Sequence, residues 1–384
     1  MFGCAKISLV KIVLASDSFK GSLSSTDAGA AMKRAVLRVL PDALIESVPL
    51  ADGGEGTLDA LLLSTGGLRK VGWFRGPLDE DVEASWGILP DGTALIELAQ
   101  TAGLGQIPRE KRDALRASTF GAGQQIRAAL DAGARRFWIG LGGSATTDGA
   151  TGLLSALGAR FFDEKDRVLE PGGAALLHLA RIDLRYFDPR LARCQFVALC
   201  DVTNPLNGDN GAARVFAPQK GATPEAVELL DRGLNRLAQV AVQRLERDLR
   251  DQSGAGAAGG TGFGLMAFLG ATMRSGIEAV LEAARFDEKL QSARLVVTGE
   301  GSLDAQTLRG KTVSGVCRAA RNAGVPVIAL SGRITLSGAE LDELGLQSAF
   351  SILDGPRDLA FCLDNAAQLL ESATERVLRL WPRS

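Results

Sequence analysis

The chain has 384 residues, of which 46 are glycine, and a formal net charge of −2. This length predicts two domains and is ample for a buried core. Basic residues are dispersed, and four Trp and one Tyr leave few aromatic rings for stacking on bases, so the composition argues against a nucleic-acid-binding surface.

The first elements alternate between strand and helix. Residues 11–15 predict a buried strand, and a helix capped by Ser24 or Ser25 follows and stops at Pro41. A second strand over 44–49 precedes another helix. This alternation is typical of a parallel sheet that binds ligands at the carboxyl ends of its strands.

The middle of the chain follows a different pattern. Short strands over 70–74, 82–89 and 93–98, with Asp91-Gly92 between the last two, predict an antiparallel meander. Further helices are predicted over about 122–132, 150–157 and 225–250, and further strands over 137–141 and 196–200. We therefore expect a second domain inserted into the first.

The strand and helix alternation returns after residues 253–264. The composition of this glycine-rich segment fits a flexible linker and a phosphate-binding loop equally well. Strands are predicted beyond it over 295–298 and 325–330, and helices over 311–323 and 358–380. The predicted domains are residues 1–69 with 260–384, and residues 70–259.

Four glycine-rich loops carry carboxylates and hydroxyls. Loop one is Asp52–Thr57, loop two is Gly142–Gly149, loop three is Asp201–Asn204 with Gly208–Gly211, and loop four is Thr298–Asp304. Glycine lets the backbone approach a ligand and direct N–H groups at an anion, while carboxylates hold Mg²⁺ or accept a proton. Together the loops predict a site for a phosphorylated, metal-bound substrate.

Neither familiar nucleotide motif is present. Gly310-Lys311-Thr312 resembles the end of a Walker motif, but Ala305 occupies the position of its first glycine. Lys311 therefore remains open as a phosphate contact or a solvated lysine. Loop two lacks the glycine spacing of a dinucleotide-binding fingerprint.

Cysteine and histidine content narrows the chemistry. The five cysteines are Cys4, Cys194, Cys200, Cys317 and Cys362. Their wide spacing predicts neither a zinc site nor a disulfide framework. The only histidine, His178, lies among aliphatic residues and is predicted to be structural, which leaves proton transfer to carboxylates or a lysine.

The N-terminus and the apolar runs predict the location of the protein. The apolar stretch over 7–15 is interrupted by Lys11 and lacks a cleavage pattern, so it is not that of a signal peptide. No apolar run approaches the ~18 residues of a membrane span. We therefore expect a cytoplasmic protein with no membrane partner.

Several segments, in order, strongly resemble the glycerate kinase family of the bacterial type that makes 2-phosphoglycerate. They are residues 17–24 (DSFKGSLS), 49–57 (PLADGGEGT), 142–149 (GGSATTDG), 200–206 (CDVTNPL), 216–222 (FAPQKGA) and 298–304 (TGEGSLD) with Gln306-Thr307. The chain departs from the family pattern at Thr147 and Ala217, where the family has Asn and Gly, and neither change removes a charge.

The resemblance implies ATP- and Mg²⁺-dependent phosphorylation of glycerate. It also implies an α/β fold with a flavodoxin-like parallel-sheet domain, assembled here from both chain ends, and an inserted smaller mixed α/β domain. The active site is expected in the cleft between the domains. Phosphorylation at the 3-hydroxyl, a non-catalytic small-molecule binding protein and a homodimer remain open alternatives.

Phosphoryl transfer needs charge neutralisation and a group that orients the attacking hydroxyl. We therefore expect the following roles. Glu300 and Asp304 hold Mg²⁺, Lys20 and Lys220 pair with anionic groups, Gly143, Ser144 and Thr146 cradle phosphate, and Asp201 or Asp52 accepts the proton, with Asp201 favoured. The remaining candidates for substrate or phosphate binding are Asp17, Ser18, Gly53, Gly54, Asp148, Asn204 and Lys311.

Overall fold

The computed structural model of the chain describes residues 10–380. Cys4, the stretch before residue 10 and the outer domain limits at residues 1 and 384 lie outside the described residues. Among the described residues, no helix combines the length and the apolar character needed to span a bilayer.

The secondary structure is numbered here in chain order. The strands are β1 (Lys11–Leu14), β2 (Leu44–Ser47), β3 (Leu68–Arg75), β4 (Asp81–Ile88), β5 (Thr93–Glu97), β6 (Arg136–Gly140), β7 (Arg160–Phe162), β8 (Arg181–Asp183), β9 (Gln195–Leu199), β10 (Thr272–Arg274), β11 (Ala293–Leu303), β12 (Val327–Ile334) and β13 (Ser348–Ser351). The α-helices are α1 (Ser25–Val39), α2 (Thr57–Thr65), α3 (Ala99–Ala102), α4 (Phe120–Asp131), α5 (Thr151–Ala156), α6 (Ala212–Phe216), α7 (Pro224–Leu245), α8 (Ala257–Leu269), α9 (Gly276–Ala283), α10 (Phe286–Leu290), α11 (Thr312–Asn322), α12 (Gly338–Leu344), α13 (Leu359–Asp364) and α14 (Ala366–Leu378).

The chain divides into two compact units. The first comprises Met1–Asp52, Asp59–Ser64 and Ile277–Ser384, and the second comprises Gly53–Leu58 and Thr65–Gly276. Loop one is therefore divided, because Asp52 belongs to the first unit and its remaining residues to the second. The second unit is the larger, whereas the sequence predicted a smaller inserted domain.

The first unit contains a five-stranded parallel sheet in the order β13-β12-β11-β1-β2. Two strands come from the N-terminal part of the chain and three from the C-terminal part, in the order of flavodoxin-like folds. Residues from both parts, including Leu14, Met32, Val297 and Leu370, form one core. The predicted fold class is confirmed.

Local signals set the limits of α1 as the sequence predicted. The Ser24 side chain accepts a hydrogen bond from the Asp27 N–H at 3.1 Å and so caps the first turn. Asp27 also places a negative charge at the positive end of the helix. The helix ends at Val39, before Pro41.

The second unit contains a six-stranded mixed sheet in the order β10-β9-β6-β5-β4-β3. The strands β3, β4 and β5 are antiparallel neighbours, and the remaining pairs are parallel. The predicted hairpin between β4 and β5 is confirmed, with Gly92 at φ 83°. The Asp91 carboxylate accepts the Thr93 N–H at 2.9 Å and fixes this turn.

The glycine-rich segment over 253–264 is not a linker. Most of it is buried, and its second half forms the beginning of α8. Ala258, Gly259 and Gly260 have positive φ angles, so the chain kinks inside the element. Composition left the linker open because glycine content reports flexibility in the unfolded chain, whereas tertiary packing orders the segment in the fold.

Three further predictions are corrected. Loop four lies largely within β11, because Thr298–Leu303 continue the strand beside β12. The predicted helix over 225–250 ends at Leu245, where Glu246 adopts φ 56°. The predicted C-terminal helix is two helices, α13 and α14, which meet at Asn365.

Within the second unit, the backbone of loop one packs against the backbone of loop two. The Gly142 N–H donates to the Gly53 carbonyl at 3.0 Å. A Cβ on Gly142 would overlap Gly54 Cα, and a Cβ on Gly53 would lie 2.9 Å from the Leu199 carbonyl oxygen. This contact therefore requires residues without side chains.

We expect Gly142→Ala to lower the free energy of unfolding by about 1–3 kcal/mol, because the added methyl group meets backbone that cannot move aside. Urea denaturation measures the change. Gly105→Ala is the matched control, since Gly105 lies in the same unit and has open space around its Cβ position. Equal stability of the two variants would contradict the packing argument.

Candidate active site

The first unit places carboxylates at the switch point of its sheet. Strand order reverses between β1 and β11, and open α/β sheets bind ligands at the carboxyl ends of strands beside such a point. Asp17 follows β1, and its N–H donates to the Gly299 carbonyl at 2.9 Å. Glu300 lies in β11, one residue beyond Gly299.

Asp17 is a buried carboxylate with an altered proton affinity. The Thr312 hydroxyl donates to its Oδ2 at 2.5 Å, and the Ser18 N–H donates to its Oδ1 at 2.7 Å. Burial raises the pKa of Asp17 to about 6, and the charge of Asp52 acts in the same direction. These two hydrogen bonds and the exposed Lys20 act against this rise.

Glu300 belongs to the same group of charges. Burial raises its pKa to about 7, and the charges of Asp17 and Asp52 add to that rise. A hydrogen bond from the Thr307 hydroxyl, at 2.6 Å to Oε1, and the charge of Lys311 oppose it. Repulsion among three carboxylates favours a bound proton or cation.

Asp304, the second predicted metal ligand, stabilises the turn after β11. Its Oδ1 accepts the Gln306 N–H at 2.9 Å, and its Oδ2 accepts the Ser302 hydroxyl at 3.2 Å. The Lys311 ammonium donates to the Gln306 side chain at 2.7 Å. Over residues 10–380, no cluster of three or more His, Cys, Asp or Glu side chains is arranged to hold a metal.

The carboxylates Asp17, Asp52 and Glu300 nevertheless fit the binding of Mg²⁺ in a kinase. Such Mg²⁺ ions are held by one or two carboxylates, with water and substrate phosphates completing the octahedron. Glu300 can supply one such carboxylate, and the negative charges of Asp17 and Asp52 act on the same group. The assignment of Glu300 and Asp304 as ligands stays a prediction.

In the second unit, the Asp148 side chain of loop two bonds to Thr119 and to the backbone near its own position. Its fully buried carboxylate accepts hydrogen bonds from the Thr119 N–H and hydroxyl, and from the N–H groups of Ala150 and Gly152. Burial raises the pKa of Asp148, and these hydrogen bonds act in the opposite direction. With these contacts, Asp148 fixes the start of α5, and its part in substrate or phosphate binding stays a prediction.

Lys220 is buried against loop two. Only 2% of the residue is exposed, and its ammonium donates to the Ser144 hydroxyl at 3.0 Å and to the Thr146 carbonyl at 2.6 Å. Burial lowers the pKa of Lys220 to about 7, and the charge of Asp148 opposes this. The sequence predicted direct pairing with an anion, whereas the contacts observed are with the loop.

Two hydroxyls of loop two are buried with no hydrogen-bond partner among the described residues. They belong to Thr146 and Thr147, which are both fully buried. Leaving a buried hydroxyl unsatisfied costs free energy, so such groups call for an explanation. An anionic ligand at loop two would supply acceptors, which fits the predicted phosphate cradle.

Glu97, which the sequence pattern did not single out, is a fully buried carboxylate at the end of β5. Its Oε2 accepts the Leu58 N–H at 2.9 Å, and its Oε1 accepts the Gly56 N–H at 3.3 Å. Glu97 therefore fixes the end of loop one and the first turn of α2. The available signal was a glutamate directly after the apolar run Ala94-Leu95-Ile96.

Loop three is fixed by contacts from both of its predicted functional residues. The Asp201 Oδ1 accepts the Gly276 N–H at 3.0 Å, and the residue is half-buried. The Asn204 side-chain amide donates to the Asn210 carbonyl at 2.8 Å, while the Asn204 backbone carbonyl accepts the Gly256 N–H. The carboxylate of Asp201 is thus oriented by the backbone.

The predicted residues can therefore be grouped within each unit. In the first unit, Asp17, Lys20, Asp52, Glu300 and Lys311 interact electrostatically. In the second unit, Lys220 contacts Ser144 and Thr146 of loop two, while Gly53 and Gly54 pack against that loop. His178 is exposed at the end of a 3₁₀ helix.

Comparison with known proteins gives a consistent result. The model of the glycerate kinase family matches residues 12–382. A glycerate 2-kinase of Escherichia coli (strain K12) is 45% identical over 355 residues, which are 92% of this chain and 93% of the relative. A glycerate kinase of Bacillus subtilis (strain 168) is 44% identical over 363 residues, or 94% and 95% of the two chains.

A solved structure agrees with these relatives. A crystal structure from Salmonella typhimurium LT2, whose protein is named as a glycerate kinase 2, superposes with a TM-score of 0.82 at 42% identity. It covers 97% of this chain and 98% of its own. The sequence-based recognition is confirmed: the chain belongs to the glycerate kinase family and is a kinase.

Proposed function

We propose that the protein transfers a phosphoryl group from ATP to the 2-hydroxyl of D-glycerate, giving 2-phosphoglycerate and ADP. The observation that carries this proposal is the family match over residues 12–382. The choice of the 2-hydroxyl is supported by the name of the Escherichia coli relative, glycerate 2-kinase. Transfer to the 3-hydroxyl is the alternative outcome.

Loop two supports the handling of an anionic group. Ser144 and Thr146 are held by the buried ammonium of Lys220, so the loop is fixed before a ligand arrives. Fixed donors stabilise developing charge better than mobile ones, because they need no reorganisation during the reaction. We assign Gly143, Ser144 and Thr146 to contact with phosphate or with the glycerate carboxylate.

The carboxylates of the first unit support Mg²⁺ binding. Asp17 and Glu300 have raised pKa values because they are buried near other carboxylates, and a cation would relieve that repulsion. When bound, Mg²⁺ supplies neutralisation of the charge that develops on the phosphate oxygens. Lys20 and Lys311 are the cations of this unit that we assign to anionic substrate groups.

Asp201 is the preferred proton acceptor. A base must present a carboxylate oxygen in a fixed orientation to the attacking hydroxyl. The N–H of Gly276 fixes one Asp201 oxygen at 3.0 Å. Asp52 is the alternative, and its negative charge already acts on Asp17 and Glu300.

The reaction is tested with D-glycerate, ATP and Mg²⁺ in an assay coupled to enolase without phosphoglycerate mutase. We expect continuous formation of phosphoenolpyruvate, because enolase accepts only the 2-phosphate. ADP release is measured in parallel. ADP formed without phosphoenolpyruvate would indicate the 3-phosphate, and no glycerate-dependent ADP would overturn the proposed function.

We expect Asp201→Asn to lower kcat by about 100- to 10,000-fold, because an amide cannot accept the hydroxyl proton. Asp251→Asn is the control, since Asp251 is exposed and lies in the same unit outside the four loops. Asp52→Asn is measured beside them. An unchanged kcat for Asp201→Asn would remove Asp201 as the base.

Removing divalent cations with EDTA should abolish turnover, and Mg²⁺ should restore it. Glu300→Gln should then require a higher Mg²⁺ concentration for half-maximal rate, because the amide is a weaker ligand. Glu343→Gln, an exposed change in the first unit, should leave that concentration unaltered. Activity that persists in EDTA would rule out the metal requirement.

A further inference from the structure

Lys220 is buried without an ion pair among the described residues. Its ammonium contacts only neutral oxygen atoms, those of the Ser144 hydroxyl and the Thr146 carbonyl. Asp148 acts on it by charge but makes its own hydrogen bonds to Thr119, Ala150 and Gly152. Burying a charge with neutral partners is costly, and a residue such as Met would fill the same space without that cost.

The chemistry of the ammonium fixes the role of its neighbour. A lysine ammonium has three donors and no acceptor, whereas a hydroxyl can both donate and accept. Because Lys220 Nζ lies 3.0 Å from Ser144 Oγ, the serine oxygen accepts that bond when Lys220 is protonated. The Ser144 hydroxyl hydrogen is therefore directed away from Lys220 and is available to another acceptor.

The rest of the loop indicates what that acceptor is. The Thr146 carbonyl is occupied by the same ammonium, and the Thr146 and Thr147 hydroxyls have no partner among the described residues. Loop two therefore offers hydroxyl donors, while its adjacent carbonyl acceptor is already engaged. An oxyanion, which has acceptors only, matches this arrangement.

We propose that Lys220 is a positioning residue, which sets the Ser144 hydroxyl as a donor to an oxyanion of the substrate instead of contacting the substrate itself. The oxyanion is either the carboxylate of glycerate or a phosphate of the nucleotide. Donation from a charged group also strengthens the hydrogen bond that Ser144 makes in turn. This inference rests on the proposed kinase function.

The test is a double-mutant cycle with Lys220→Met, Ser144→Ala and the combined variant. The KM for D-glycerate, the KM for ATP and kcat are measured for each enzyme. We expect each single change to raise the KM for one substrate by about tenfold or more and to leave the other KM unaltered. The combined variant should match Ser144→Ala, because Lys220 acts through Ser144.

The substrate whose KM rises identifies the source of the oxyanion.

Gln125→Leu is the matched control, since Gln125 is a fully buried polar residue of the same unit whose amide donates to the Ser85 carbonyl. It should leave both KM values unchanged. Thermal unfolding of every variant verifies that it is folded.

Three results would overturn the inference. They are an unchanged KM in Lys220→Met, an equal rise in both KM values, and effects of the two substitutions that multiply in the combined variant. Calorimetry of ADP and D-glycerate binding to the wild type, Lys220→Met, Ser144→Ala and the combined variant measures the coupling between Lys220 and Ser144 without turnover. A wild-type enzyme that does not phosphorylate glycerate therefore refutes the proposed function, while the binding cycle still decides the role of Lys220.

Discussion

The contact between the backbones of loop one and loop two is the constraint on which the second unit depends. Gly142 and Gly53 share a hydrogen bond, and neither position has room for a Cβ. Glu97 then fixes the end of loop one through two backbone N–H groups. Part of the glycine excess of the chain thus has a packing cause, because these two backbones can approach each other closely only where side chains are absent.

Each unit also carries a costly arrangement of buried charge. The first gathers like charges, so the pKa values of Asp17 and Glu300 rise. The second buries the ammonium of Lys220 beside neutral oxygens, so its pKa falls. Neither arrangement favours folding, and such conflicts between stability and local chemistry are expected at functional sites.

Local signals predicted the elements well, and long-range contacts explain what they missed. The apolar runs of β1 and β11, the Ser24 cap and the Asp91-Gly92 turn depend on neighbouring residues, so they are readable from the sequence. The function of Glu97 depends on residues about 40 positions away, and the burial of Lys220 depends on a loop still farther off. The apolar run before Glu97 could indicate that this residue is buried, but the sequence pattern does not identify the distant partners of Glu97 or of Lys220.

The kinked start of α8 shows that composition alone does not distinguish a linker from a packed segment. Gly259 has φ 65°, and its carbonyl accepts the Gly149 N–H at 3.0 Å. A Cβ at Gly259 would overlap the Thr146 carbonyl oxygen, the atom that also accepts the Lys220 ammonium. Glycine is therefore needed at this position to support loop two from one side while Lys220 holds it from another. A segment that composition left open as a linker is, in the fold, part of the frame that fixes loop two at Thr146.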